Sequence, residues 1–147
     1  MAVHELFPYL HVKNAPAAIE FYVEVFGAKE QFRLTEPGGR IGHAQLDFNG
    51  AVLMLADEFP ELGIQGPQTI GGAGVTIHLH VDSADDVVQR AVKAGAKIHI
   101  EVADRFYGER SGSIIDPFGH RWNIGNNIEA VTPEEMQRRY AELKDAE

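Results

Sequence analysis

The sequence predicts an α+β fold built from two tandem βαβββ modules. The main observation is an internal repeat, in which Leu-His-Val at residues 10–12 and Gly-Ala-Lys at 27–29 enclose a helical stretch, and the same tripeptides at 79–81 and 95–97 enclose another. A repeated strand–helix–strand unit indicates a duplicated module. Alternating apolar and polar residues predict the remaining strands. We therefore expect two curled mixed sheets that pair into an eight-stranded architecture with a cleft.

The first module is predicted to span residues 5–57. Its helix should begin after Asn14, a good N-cap, and end at Gly27, which tolerates the left-handed conformation of a helix terminus. Asn49 followed by glycine is typical of a two-residue hairpin turn. The predicted strands of this module are residues 6–12, 31–34, 41–48 and 51–56.

A Gly- and Pro-rich linker over residues 58–73 is predicted to lead into the second module, residues 74–127. A linker of this length is often a functional lid. Ser83 should cap the second module's helix, and Gly95 should end it. The predicted strands are residues 75–81, 97–102, 112–116 and 120–124. A final helix over residues 132–144 starts with a capping box and carries an apolar stripe, which should dock on its own domain or on a partner subunit.

Length and composition restrict the class of protein. The chain of 147 residues suits one domain, residues 1–147, with two small halves. It has no cysteine, which excludes disulfides and a thiol nucleophile. A formal net charge of −9 argues against nucleic acid and anionic membranes as partners. We find no signal peptide and no apolar run that could span a bilayer, so we expect a cytoplasmic protein.

Strand alternation assigns one face of each predicted sheet to the core. In the strand after Gly74, Ile77 and Leu79 should face the helices, while His78 and His80 point to the opposite, polar side. The other predicted core-facing strand residues are Leu10, Val12, Ala44, Leu46, Trp122 and Ile124. If each sheet curls, its polar and His-rich face lines a cleft that suits a small-molecule ligand.

Several segments resemble a known family. They are the strand and acidic run at residues 53–61, the Phe-Tyr-Gly-Glu-Arg-Ser-Gly segment at 106–112, the Asp-Pro-Phe-Gly-His turn at 116–120 and the helix start at 132–136. Over residues 5–127 the chain resembles the vicinal oxygen chelate superfamily, which contains glyoxalase I, bleomycin-resistance proteins and extradiol dioxygenases. It is most similar to a bacterial glyoxalase/bleomycin-resistance-like subgroup, although Asn127 stands where that subgroup usually has histidine. The resemblance implies a homodimer.

The resemblance also implies where a metal ion would be held in the metal-dependent branches, which place His or Glu at four strand positions. The matching residues are Phe7, Met54, Thr76 and Asn123. Since none of them is a good ligand for a divalent ion, we expect a metal-free member with no cofactor. The alternative is one divalent ion, held by His78 and His80 with His11 or His43 nearby, in a glyoxalase-type lyase, isomerase or dioxygenase.

We identify no catalytic residue from the sequence, and whether the chain is an enzyme stays open; if it is one, a glyoxalase-like lyase is favoured. The preferred function is small-molecule binding, with sequestration of a drug-like or aromatic compound. Arg110 offers a planar fork for a carboxylate or phosphonate, or else pairs with Glu109 or Asp104 on the surface. The candidate ligand-binding residues are Phe7, Tyr9, His43, Gln45, Met54, Thr76, His78, Tyr107, Arg110 and Asn123.

Four further features favour a structural interpretation. His120 is a possible general base, but a ring that bonds backbone groups near its turn is favoured. Asp116 should close an Asx-type turn, and Trp122 should belong to the core. The acidic run at residues 57–61 either attracts a cationic ligand or is a solvated linker, with the linker favoured.

Overall fold

The computed structural model describes residues 2–145 and divides into two compact units. The first unit comprises the chain up to Val75 together with residues 116–120, and the second comprises residues 76–115 and the chain from Arg121 onward. Each unit contains one four-stranded mixed sheet. The predicted α+β fold is confirmed, whereas the organisation as a single domain stays a prediction.

The first unit has a sheet in the order β1-β4-β3-β2, with β1 parallel to β4 and the other pairs antiparallel. Its strands are β1 Tyr9–Val12, β2 Lys29–Thr35, β3 Ile41–Phe48 and β4 Ala51–Asp57. Its helices are α1 Ala15–Phe26 and the short α2 Pro67–Ile70, preceded by a 3₁₀ turn over Pro60–Leu62.

Helix α1 begins and ends as the sequence predicts. The Asn14 side chain accepts a hydrogen bond from the backbone N–H of Ala17, and Gly27 closes the helix with φ of 71°. The buried Asp57 carboxylate holds this end of the unit, because it accepts hydrogen bonds from the backbone N–H groups of Ala15 and Ile41, both at 2.7 Å. Asp57 therefore joins the start of α1 to the start of β3.

The second unit repeats the arrangement, with the sheet order β5-β8-β7-β6 and β5 parallel to β8. Its strands are β5 Thr76–His80, β6 Lys97–Asp104, β7 Glu109–Ile115 and β8 Arg121–Asn127. Its helices are α3 Ala84–Lys93, capped by Ser83, and α4 Pro133–Asp145. Helix α4 contacts its own unit, where Arg139 donates a hydrogen bond to the carbonyl of Phe106. Among the described helices, none has both the length and the apolar character that crossing a membrane requires.

Several predicted strand boundaries were wrong, because hydrogen-bonded pairing makes some strands longer and others shorter than their sequence pattern indicates. The ladder of β1 with β4 starts at Tyr9, so Phe7 precedes the strand. In β7, Glu109 pairs with Asn127, which adds residues before Gly112 and extends β8 past Ile124. The predicted linker contains the 3₁₀ turn and α2.

The predicted division into core and polar faces holds in both sheets. In the first unit Leu10, Val12, Ala44 and Leu46 are buried. In the second unit Trp122 and Ile124 are fully buried, and Asn123 between them on β8 faces the other way. Ile77 and Leu79 on β5 are only half-buried, while Thr76, His78 and His80 are exposed.

The turn at residues 116–120 is organised by the buried Asp116 carboxylate, as the sequence predicts. Its Oδ1 accepts hydrogen bonds from the backbone N–H groups of Phe118 and His120, and its Oδ2 accepts one from the Tyr22 hydroxyl at 2.6 Å. The His120 ring lies 3.0 Å from the backbone carbonyl of His11 through Nε2. These contacts give His120 a structural role.

Candidate functional site

Three predicted site residues of the first unit, Tyr9, His43 and Gln45, are joined by hydrogen bonds. The Tyr9 hydroxyl lies 2.7 Å from Nδ1 of His43, and burial raises the pKa of the Tyr9 phenol. The His43 Nε2–H then donates to Oε1 of Gln45 at 3.0 Å, and the Gln45 amide donates to Gln31. Met54 pairs in register with Tyr9 and with Gln45. This polar face is thus a continuous hydrogen-bonded chain.

His11, a possible metal ligand by sequence, lies behind this chain. Burial lowers the pKa of its ring, and the neighbouring His120 lowers it further, while the backbone of Asp57 and the Glu58 carboxylate act in the opposite direction. The ring also stacks on Tyr9 with centroids 5.1 Å apart. His11 is therefore a neutral packing residue at neutral pH.

The second unit carries a concavity of about 350 Å³ on the polar face of its sheet. Strands β5, β7 and β8 contribute neighbouring positions to it, since Thr76 pairs with Arg121 and Ser113 with Asn123. The loop before β7 adds Tyr107. The lining residues are Thr76, His99, Ile100, Arg105, Tyr107, Ser111, Gly112, Ser113, Arg121 and Asn123. Three predicted site residues, Thr76, Tyr107 and Asn123, are brought together here.

Arginines give this concavity a positive side. Arg121 is half-buried, its Nε donates to the Thr76 hydroxyl, and within residues 2–145 its guanidinium has no carboxylate partner. Arg105 is also half-buried and donates to backbone carbonyls of Ser111 and Glu101. In a chain of net charge −9, two arginines that line one concavity without ion pairs favour an anionic ligand group.

Polar hydroxyl and imidazole groups lie between the arginines. The Tyr107 and Ser111 hydroxyls are 2.9 Å apart, and Nδ1 of His99 is 2.9 Å from the Ser113 hydroxyl. Gly112 on β7 allows β6 to approach closely, because a Cβ at this position would lie 2.8 Å from the Ile100 carbonyl oxygen. Ile100 supplies apolar lining and is 49% exposed. The concavity can therefore hold a ligand with both apolar and hydrogen-bonding parts.

Arg110 lies elsewhere. Its Nε donates to Asp85 at 2.7 Å and its Nη1 to Asp104 at 3.0 Å, and it does not line the concavity. These contacts raise the pKa of Arg110 and lower that of Asp85 through hydrogen bonding and charge. The structure thus supports the surface ion pair considered for Arg110, with Asp85 as an additional partner.

The acidic run at residues 57–61 is structural. Asp57 caps α1, Glu58 accepts hydrogen bonds from Gly66 N–H and the Thr69 hydroxyl, and Glu61 pairs with Arg40. The hydrogen bond from the Thr69 hydroxyl is the largest cause of the lowered pKa of Glu58. The hydrogen bond from Arg40 is the largest cause of the lowered pKa of Glu61. The linker interpretation is therefore the one that the contacts support.

Sequence reasoning missed part of the concavity. Ser111 lines the concavity but precedes Gly112, where the strand is predicted to begin, whereas Ser113 lies within the predicted strand and within reach of the alternation rule. Arg121 alternates with the core residue Trp122, so the alternation rule could have found it. His99 gives no sequence signal, since the register shifts in β6 interrupt its alternation, and Arg105 follows β6, where alternation does not apply.

The residues at the four positions that the family resemblance implies for a metal ion do not suit a divalent ion. Phe7 is 38% exposed before β1 and, like Met54 on β4, carries no oxygen or nitrogen donor. The Thr76 hydroxyl contacts the Arg121 guanidinium, whose positive charge would repel a divalent ion. The Asn123 amide contacts the His78 ring at 2.7 Å. We therefore derive no chemistry through a metal at these positions.

Two βαβββ units, each with one four-stranded mixed sheet, define the class of protein by its fold. The chain belongs to the Glyoxalase/Bleomycin resistance protein/Dioxygenase superfamily, whose family model matches residues 4–124. The uncharacterised protein Mb0911c from Mycobacterium bovis is 41% identical over 135 residues, which cover 90% of this chain and 89% of that protein.

Two solved structures show the same fold. TioX from Micromonospora sp. ML1 is 25% identical, with a TM-score of 0.64 over 86% of this chain and 100% of TioX. Protein PA1353 from Pseudomonas aeruginosa is 24% identical, with a TM-score of 0.70 over 86% of this chain and 100% of that one. These likenesses confirm the fold, and the match to the family model confirms the predicted family.

Proposed function

We propose that this protein binds a small organic ligand that combines an aromatic or other apolar part with an anionic group. The single observation that carries the proposal is the concavity of the second unit, where Arg121 and Arg105 lack carboxylate partners among the described residues. The predicted role of Arg110 as the fork for a carboxylate or phosphonate passes to Arg121. Sequestration without turnover is the simplest use of such a site.

The size and chemistry of the concavity support a ligand of one or two rings. Its volume of about 350 Å³ lies at the lower end of the range for small-molecule sites. Ile100 and the Tyr107 ring offer apolar area, while Asn123 and the serine hydroxyls can orient polar substituents. The Arg121 guanidinium keeps its two terminal nitrogens for the anion, since Nε is the atom bonded to Thr76.

Binding of 2-naphthoate, followed by isothermal titration calorimetry, tests this proposal. We expect the Arg121→Gln variant to bind it about 10- to 100-fold more weakly, because charge-assisted hydrogen bonds contribute roughly 1.5–3 kcal/mol. Neutral 2-naphthamide should bind the wild-type protein weakly, and the Arg121→Gln variant should no longer distinguish the two compounds.

Arg110→Gln is the matched control. It removes the same charge from the same unit, but its guanidinium is bound to Asp85 and Asp104 outside the concavity. We expect naphthoate binding to be unchanged in this variant. An equal loss in both variants, or equal affinity of the wild-type protein for naphthoate and naphthamide, would contradict the proposal.

We also propose that the protein forms a homodimer. Support comes from large apolar side chains that the monomer leaves in solvent, including Leu6 at 85% exposure and Leu34 at 59%. Sedimentation equilibrium at micromolar concentrations should give twice the chain mass of 16.2 kDa. We expect Leu34→Lys to shift the equilibrium toward the monomer, and a wild-type protein that is monomeric at these concentrations would refute the homodimer.

A further inference from the structure

We propose that His78, His80 and Glu109 form a binding site for one divalent transition-metal ion, separate from the four positions that the family resemblance implies. The two histidines lie two residues apart on β5 and therefore share one face of the sheet. Glu109 begins β7 and reaches the same face from across β8. One ligand atom of each residue lies within 4.8 Å of the others.

The ligand atoms already converge. Nε2 of His80 is 3.0 Å and Nε2 of His78 is 3.4 Å from the same carboxylate oxygen, Oε1 of Glu109. Atoms bound at about 2.0–2.1 Å to one tetrahedral ion lie roughly 3.3 Å apart. The two nitrogen–oxygen distances therefore match a shared ion, and the two nitrogens lie within 4.8 Å of each other.

Gly125 makes room for the carboxylate. It pairs with His80 on one side and with Ser111 on the other, so it lies beneath the three ligands. A Cβ at this position would lie 2.6 Å from Oε1 of Glu109. The missing side chain therefore allows the carboxylate to cross β8 and reach the histidines.

Asn123 holds one ligand ring in place. Its side-chain amide lies 2.7 Å from Nδ1 of His78, which leaves Nε2 of that ring directed toward Glu109. In the metal-bound form the amide would turn its oxygen toward Nδ1 and accept a hydrogen bond from Nδ1–H. A hydrogen bond at the second ring nitrogen is the usual support of a metal-bound histidine.

The donor set indicates which ions fit. Two imidazole nitrogens and one carboxylate oxygen suit Zn²⁺, Fe²⁺, Ni²⁺ or Co²⁺ and disfavour Mg²⁺ or Ca²⁺. The His80 side chain is 60% exposed, so the remaining coordination positions face solvent. Arg121 pairs with Thr76, two residues before His78 and four before His80, and its Nε donates to the Thr76 hydroxyl.

Calorimetric titration of the chelator-treated protein with Zn²⁺ alone tests the site, with a chain that carries no polyhistidine tag. We expect about one Zn²⁺ per chain. His80→Ala and Glu109→Gln should each weaken binding by more than about 100-fold, and Asn123→Ala by about 10-fold, since supporting residues cost 10- to 100-fold. Gly125→Ala should weaken binding without the loss of any ligand.

His4→Ala serves as the matched control, because it removes an exposed histidine outside the cluster and should leave Zn²⁺ affinity unchanged. Circular dichroism of each variant checks that the fold is retained. The proposal is overturned if the His78→Ala/His80→Ala double variant binds Zn²⁺ as tightly as the wild-type protein. Because the ion is the only ligand, the result does not depend on naphthoate binding.

Discussion

Replacing Trp122 with alanine is expected to lower the free energy of unfolding by about 3–5 kcal/mol, the range observed for large aromatic residues truncated in a core. Trp122 is fully buried and is the largest of the fully buried side chains in the described chain. It also anchors the strand that supplies Arg121 and Asn123, which point to the opposite face. Urea denaturation followed by circular dichroism measures the change.

The effect of Trp122→Ala should reach the site as well as the stability. In the folded fraction of that variant we expect weaker naphthoate binding, because β8 loses the contact that fixes its position. Trp122→Phe keeps a buried ring and should cost less. Ile128→Ala is the matched control, since Ile128 is 49% exposed and should change stability by less than about 0.5 kcal/mol. Similar losses for Trp122→Ala and Ile128→Ala would contradict this account of the core.

Replacing Asp116 with alanine is expected to cost at least about 3 kcal/mol, because each hydrogen-bonding group left without a buried partner costs roughly 1–3 kcal/mol. The affected donors are the Tyr22 hydroxyl and the backbone N–H groups of Phe118 and His120. Asp116 itself is only 3% exposed, so water cannot readily replace the carboxylate. Thermal and urea unfolding of the variant measure the loss.

Two variants separate the contributions at Asp116. Asp116→Asn retains an oxygen for the backbone N–H groups and should be less damaging than alanine. Tyr22→Phe removes the hydroxyl and leaves both backbone contacts of the turn, so we expect it to cost about 1 kcal/mol. If Asp116→Ala were no more destabilising than Tyr22→Phe, the carboxylate would not organise the turn as inferred.

The internal repeat allowed most of the fold to be predicted, because strand and helix periodicities are local properties of the chain. Asn14 and Ser83 cap their helices, Gly27 ends α1, and Asn49 adopts the positive φ of 56° that its turn requires. Strand ends were less predictable. Glu109 belongs to β7 only because Asn127 is opposite it, and pairing between distant residues leaves no local signal.

The candidate site was only partly predictable, because contacts between distant residues leave no local signal in the sequence. Alternation placed Thr76, His78 and Asn123 on one face, since successive side chains of a strand point to opposite sides. Alternation does not tell which charged groups face each other across strands. Arg110 and Arg121 look alike in sequence, yet Asp85 and Asp104 bind the first, and the second lines the concavity with Thr76 as its partner.

The sequence by itself determined the duplicated α+β fold, the helix caps, the polar face of each sheet and the family, because each of these depends on residues close together in the chain. Only the tertiary structure decided which arginine lines the concavity and brought Glu109 over Gly125 to the two histidines of β5. Those contacts join residues far apart in the sequence, 29 positions for His80 and Glu109 and 45 for Thr76 and Arg121, and their geometry depends on strand register, which local patterns do not specify.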